Sequence, residues 1–356
     1  MKSLSFNPQR LKLARERRGL TAIELSKILD ITSRTLSSYE NGHKELTEQD
    51  AIVEKISKAL NYPIPFFFSD DLVQIKAETA SFRSMARMSA KKRDAALSAG
   101  SIAMEFDKWL GERFNLPKVD IPEFNHSEST PDPAVAAQQL REYWRLGEKS
   151  IPNIVHLLES KGIRVYSLTQ DCVEVDAYSY WIDEQPFIFL NNQKTPERSR
   201  FDAAHELGHL LLHKRADITN KKAIETEANQ FASAFLMPES AVRAIVPLQP
   251  SFKQLIELKK YWNVSLAALI KRTFDLKLST EWHYRQLQIT AGKYGYRTAE
   301  PNGMLKRETS QILDKITLLL REHKISNKEI EKKLNIPLSD LAELTFQNPY
   351  FRLRIV

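Results

Sequence analysis

Apolar positions in the first part of the chain recur at three- and four-residue spacing, the period of helices with one buried face. Leu11 and Ala14 mark the inner side of a first helix, which Gly19 stops. Thr21 is positioned to cap a second helix, with Glu24 at the reciprocal capping-box position and Ile23, Leu25, Ile28 and Leu29 facing inward. After a short turn at Asp30 and Ile31, Thr32 caps a third helix that Leu36 and Tyr39 anchor and Gly42 ends. Two short helices joined by so short a turn make a helix-turn-helix.

Beyond residue 68 the pattern changes. Residues 69–124 read as one or two long amphipathic helices with a proline-rich exit, and "NHSESTPDP" at 125–133 reads as a surface linker. "PAVAAQQLREYW" and "IPNIVHLLESKG" have helical periodicity, whereas "IRVYSL", "DAYSYWI" and "PFIFLNN" read as three strands rich in β-branched and aromatic residues. Two further helices follow in "RSRFDAAHELGHLLLHKRA" and "ETEANQFASAFLM", then a pair around the turn "WNVS". The last seventy residues give a small helical bundle with Ser326 and Ser339 as caps. The fold class is α+β and mostly helical: a helix-turn-helix bundle over 1–68, a helical linker over 69–124, a domain with a small three-stranded sheet over 125–285 and a helical region over 286–356. Trp144, Trp181, Trp262 and Trp282 are expected in cores.

With 356 residues, 42% hydrophobic and 27% charged, the chain can build two or three cores. No apolar stretch approaches membrane-spanning length and the N-terminus lacks the apolar segment of a signal peptide, so the protein is expected in the cytoplasm. A single cysteine, Cys172, excludes a disulfide framework and any zinc site made of several thiolates, and reads as a passive thiol. The net charge is +7, and residues 1–44 hold nine Lys or Arg against four acids. That excess points to a polyanion partner, double-stranded DNA given the helix-turn-helix. Arg83, Arg87, Lys91, Lys92 and Arg93 form a second basic stripe, read chiefly as a solvated helix face.

The chemistry concentrates in "FDAAHELGHLLLH". His205 and His209 are one helical turn apart, so their imidazoles project from one side and can grip a single zinc ion. Glu206 beside them is the candidate general base, and Gly208 would leave room below the metal. In the next helix Glu225 and Asn229 are again one turn apart, the spacing for a carboxylate ligand and a residue that steadies a ligand histidine. Glu227 is the competing ligand, but it points about 160° away from Glu225 on an ideal helix. His213, Tyr178 and Tyr180 are candidates for the cleft or an oxyanion donor. Arg198 and Arg200 read as helix-end or salt-bridge groups, and the sheet offers an edge with which an extended peptide can pair.

Residues 7–68 resemble the phage-repressor-type (XRE) helix-turn-helix family, down to the "YENG" ending. That resemblance implies that Ser33, Arg34 and Ser38 reach base edges, with Arg34 able to read a guanine. The glutamine usual at the start of the second helix is Ala22 here, which removes a phosphate contact. The run "RFDAAHELGHLLLH…ETEANQFASAFLMP", with flanking segments from "FRSMAR" to "LKKYWNVSLAALIKR", resembles the ImmA/IrrE family of zinc metallopeptidases. It implies a zincin-like domain, one zinc per chain and cleavage of one protein partner, typically a small DNA-binding repressor or antitoxin, in a stress, phage-immunity or toxin-antitoxin circuit. The C-terminal region would dock a partner, regulate the site or hold a homodimer. Two other readings stand beside this one: a non-catalytic DNA-binding regulator using the zinc fold as sensor or scaffold, and a DNA-binding protein whose HExxH is accidental.

Overall fold

Short polar side chains in extended backbone start most of the helices. In the computed structural model, which describes residues 5–75, 89–123, 132–168, 176–214, 220–296 and 299–351, Asn7 caps α1 (Pro8–Arg17). Thr21 makes the full capping box with Glu24 at the start of α2 (Ala22–Ile28), and Thr32 caps α3 (Ser33–Glu40). Helix α4 (Ala51–Leu60) ends at Asn61 in the left-handed conformation, and a 3₁₀ turn, Ile64–Phe68, follows. Arg83, Arg87, Cys172 and most of the linker at 125–133 lie outside the described residues.

Contacts group residues 1–116, 166–175 and 312–356 into one unit, and 117–165 with 176–311 into another. In the first, Leu11, Leu25, Leu36, Val53 and Ile56 are fully buried beneath the four N-terminal helices. Ile23 and Ile28, expected inside, are exposed. The buried face of α2 is carried by Leu25, Ser26 and Leu29, and both isoleucines lie about 110° from its centre, one on each flank. Helix α5 (Ala90–Gly111), read from sequence as linker, belongs to this unit by its contacts, as do α14 (Gln311–Glu322), α15 (Asn327–Leu334) and α16 (Leu338–Leu344). Ser326 caps α15 as expected, but Ser339 lies inside α16, whose preceding residue is Pro337. Asp340 of α16 is buried among Arg18 (2.6 Å), Arg17 (3.4 Å) and the Tyr62 hydroxyl (2.5 Å).

The second unit contains α6 (Pro133–Tyr143), α7 (Ile154–Ser160), β2 (Ala177–Ile182), β3 (Gln185–Leu190) and the first two residues of β1 (Arg164–Ser167), and the sheet has the order β1-β3-β2. Strands β2 and β3 are antiparallel, with Ser179 opposite Ile188 and Tyr180 opposite Phe187. Because alternate residues face opposite sides of a strand, Ser179 and Trp181 share one face and Tyr178 and Tyr180 the other. Helix α8 (Pro196–Leu212) lies on the first face, where Trp181 donates to Leu210 O at 3.1 Å. Helix α9 (Lys221–Leu236) packs on α8 so closely that a Cβ on Gly208 would stand 3.0 Å from Phe231 Cδ1. Gly208 therefore admits a neighbouring helix, rather than making room below a metal as expected.

Helices α10 (Glu239–Ile245), α11 (Phe252–Trp262), α12 (Leu266–Asp275) and α13 (Glu281–Lys293) complete the unit, with Asn263 and Ser265 forming the expected turn between α11 and α12. Trp144 and Trp262 are buried, Trp181 is half-buried, and Trp282 on α13 is 69% exposed, contrary to expectation. Arg200 is buried in an ion pair with Glu308, and Arg198 bridges Asp176 and Asp202. No helix of the described residues is long and apolar enough to cross a membrane.

Candidate metal centre and recognition helix

Helix periodicity alone puts His205 and His209 one above the other on α8. What the packing of α9 adds is Glu225. His205 Nε2 and His209 Nε2 are 3.0 Å apart, Glu225 Oε2 is 3.5 Å from the first and Glu225 Oε1 is 3.4 Å from the second. Four donors around one ion at about 2.0–2.1 Å are about 3.3–3.4 Å from each other when tetrahedral, so the spacing fits zinc. Among the described residues these three are the group able to hold a metal ion.

The lone pairs are aimed as a metal would require. Asn229 donates from Nδ2 to Glu225 O at 2.8 Å, which identifies its Oδ1 as an acceptor. His205 Nδ1, 3.1 Å from that oxygen, therefore carries its proton and leaves Nε2 to the cluster. The charged groups of the cluster offset the cost of burial. Burial works against charge on Glu225, but hydrogen bonds and charges from His205 and His209 outweigh it and hold the carboxyl below the usual carboxylate range. Burial also disfavours a charged His205, yet Glu225, Glu206 and Asp202 raise its pKa above normal.

Glu206 is buried, and its Oε2 accepts a hydrogen bond from Ser179 Oγ at 2.6 Å. No motif marks Ser179, which lies between the two tyrosines that the sequence singles out. The available signal was strand alternation, which puts it on the side opposite Tyr178 and Tyr180. Tyr180 does not join the cluster: its ring is stacked with Tyr178, Phe187 and Phe189 on the sheet face turned from α8. His213 does not line the metal-facing side either. Its Nδ1 lies 3.0 Å from His209 Nδ1, behind the ring whose Nε2 meets the cluster, and its Nε2 is 2.9 Å from Glu227 Oε2. Glu227 is thus outside the donor group and engaged with His213. One turn before His205, buried Asp202 has its carboxyl pushed up to about 7 by burial, with Asp176 and Glu206 adding to the effect of burial and Arg198 and His205 opposing it.

The N-terminal unit presents a different surface. Ser33 and Arg34 are exposed and Ser38 is half-buried on α3, with Ser26 Oγ 3.2 Å from Ser33 Oγ. Much of the basic excess is used internally. Arg15 pairs with Glu40, Arg17 with Asp340 and Glu343, Arg18 with Asp340, and Arg10 donates to Asp70 O. Lys91 from the second basic stripe pairs with Glu24. Lys12, Lys27, Arg34 and Lys44 remain exposed, and no ion pair holds them among the described residues.

Comparison with known proteins covers both regions. Residues 158–274, which include the entire donor group and Glu206, match the IrrE N-terminal-like domain, and residues 11–67 match the helix-turn-helix family. The chain is 32% identical over 99 residues to the radiation response metalloprotease IrrE of Deinococcus radiodurans, covering 24% of this chain and 30% of that protein. It is 34% identical over 106 residues to the radiation response metalloprotease IrrE of Deinococcus deserti, covering 25% of this chain and 38% of that protein. The chain thus spans about a third of the length of these curated relatives. Residues 158–274 are an IrrE N-terminal-like domain and residues 11–67 a helix-turn-helix domain, carried on one chain.

Proposed function

We propose that this protein is a DNA-binding zinc metallo-endopeptidase of the cytoplasm that cleaves one regulatory protein, a small DNA-binding repressor or antitoxin, and thereby relieves repression. The observation that carries the reading is the convergence of His205, His209 and Glu225 at tetrahedral spacing, with the Glu206 carboxyl held by Ser179 next to the first histidine in sequence. The Deinococcus relatives, both named as metalloproteases, support it over the segment they share.

His205, His209 and Glu225 would hold the zinc. When bound, the ion supplies Lewis acidity to a scissile carbonyl and to the water that attacks it. Glu206 takes the proton of that water on a carboxylate oxygen and passes it to the leaving amine. Ser179 keeps the carboxylate from rotating between those two transfers. Asn229 holds His205 through Nδ1 so that Nε2 stays directed to the ion. On the N-terminal unit, α3 would enter a major groove with Ser33, Arg34 and Ser38 at base edges and Lys27 and Lys44 near phosphates.

The test pairs wild type with Glu206→Gln, each co-expressed with the regulators encoded beside it. Zinc is quantified in both proteins and the regulators are followed by intact mass. Zinc in both, with a shortened regulator only beside the wild type, is the expected result. Zinc in both with every regulator whole and regulatory output unchanged would replace this reading with a metal-bound sensor or scaffold, and absence of zinc would end both.

A further inference from the structure

We infer that His213 and Glu227 form a brace that sets the tautomer and ring orientation of His209, and so the zinc affinity of the centre; the inference rests on the zinc reading above. His209 turns Nε2 to the donor group and Nδ1 to His213 Nδ1, 3.0 Å away. Two ring nitrogens at that distance are joined by one proton. For His209 Nε2 to offer a lone pair, the shared proton must sit on His209 Nδ1, which makes His213 Nδ1 the acceptor.

A neutral His213 that accepts at Nδ1 carries its own proton on Nε2. Glu227 Oε2, 2.9 Å from that nitrogen, receives it. The opposite arrangement, with the proton on His213 Nδ1, would set a bare Nε2 against a carboxylate oxygen and leave two acceptors facing each other. Each link therefore dictates the next, from the Glu227 carboxylate through His213 to His209.

Local structure delivers both partners. His213 is the residue that ends α8, and its N–H bonds to His209 O at 3.0 Å, so its side chain stands one turn beyond the second ligand. Its side chain is 8% exposed and that of Glu227 33%. The two histidines of the centre are thus held differently: His205 by the single amide of Asn229, His209 by a directional pair whose far end is charged.

Metal-free full-length protein is titrated with zinc against a chromophoric chelator, and separately loaded with cobalt(II) for its visible spectrum. His213→Leu removes the acceptor and should weaken zinc binding about 10–100-fold. His213→Asn, whose amide oxygen stands as many bonds from the backbone as the lost Nδ1, should recover most of that affinity. Glu227→Leu should weaken binding, and Glu227→Gln, which can still accept from His213 Nε2–H, should keep most of it. The cobalt bands should move in the two Leu variants and return in the conservative ones. Unchanged affinity and spectra in both Leu variants would overturn the brace. So would equal losses in His213→Leu and His213→Asn, because packing alone would not distinguish an acceptor from a hydrocarbon. If His213→Leu fails to fold, the Glu227 pair, at a more exposed position, carries the same comparison. A wild type that binds no zinc would overturn the metal reading itself, an outcome distinct from zinc affinity that ignores residues 213 and 227.

Discussion

Ser179 and Glu206 are joined by a 2.6 Å hydrogen bond between the face of β2 that meets α8 and the carboxyl beside His205. A hydrogen bond to a charged acceptor contributes about 1.5–3 kcal/mol. Ser179→Ala should therefore lower peptidase turnover roughly tenfold or more by that energy, while zinc content stays at the wild-type value. Single-turnover cleavage of the identified partner, read with metal analysis, checks both halves; loss of zinc would make Ser179 a structural residue of the centre instead.

Glu225 faces His205 and His209, whereas Glu227 faces His213. Glu225→Gln removes a donor from the group and should weaken zinc binding by more than the roughly 10–100-fold expected for an outer hydrogen-bonding partner, whereas Glu227→Gln should cost less. Chelator competition orders them. A larger loss from the change at 227 would exchange their roles.

The close contact of Gly208 with Phe231 makes a stability prediction. Ala in a helix interior is favoured over Gly by about 1 kcal/mol, but a methyl group 3.0 Å from Phe231 Cδ1 and 3.3 Å from its Cβ must displace the ring. Overpacking costs about 1–3 kcal/mol, so Gly208→Ala should lower the melting temperature, and adding Phe231→Leu should return part of it. A melt at or above wild type for Gly208→Ala would mean that α9 moves aside freely.

Asp202 gives the chelator-treated protein a pH dependence of definite sign. Its folded pKa, pushed up to about 7 mainly by burial, lies well above the ordinary aspartate value of about 3.9. The folded state thus holds a proton that the unfolded chain releases, and the associated stability is full below about 4 and is lost as pH rises to about 7. Asp202→Asn should remove this slope, so that its stability relative to wild type improves steadily across that window. Denaturant melts at several pH values read it directly, and parallel curves for the two proteins would refute it.

For DNA, the exposed and the internally paired cations should behave differently. Arg34→Ala and Lys44→Ala should weaken DNA binding, and a lost phosphate contact reduces the salt slope by about 0.9. Arg18→Ala breaks the contact with Asp340 and should lower stability while leaving the salt slope of the folded protein alone. Fluorescence anisotropy over a salt series separates these effects.

Much of the fold could be read along the chain. The three strands, the capping residues Thr21, Thr32 and Ser326, the turn at Asn263 and the pair His205 and His209 all follow from local periodicity and capping. Structure and periodicity part where the buried face of a helix depends on its neighbour. Ile23 and Ile28 are exposed because α2 offers more apolar residues than its buried side can take. Trp282, expected in a core, is exposed, and α16 starts at Leu338 after Pro337, two residues before the start that a Ser339 cap would set.

By itself the sequence determined what depends on spacing within one element: two imidazoles at i and i+4, a glutamate beside the first, a carboxylate and an amide one turn apart on the next helix. Those relations are set by the 3.6-residue turn and hold wherever the helices go. Tertiary structure decided which side chains meet across elements. The packing of α9 on α8 through Gly208 and Phe231 brings Glu225 to the histidines, the pleat of β2 turns Ser179 to Glu206 and Tyr180 away, and the end of α8 sets His213 behind His209 with Glu227 at its back. No single-element periodicity encodes those meetings, because each requires the relative position of two backbones that only the packed core supplies.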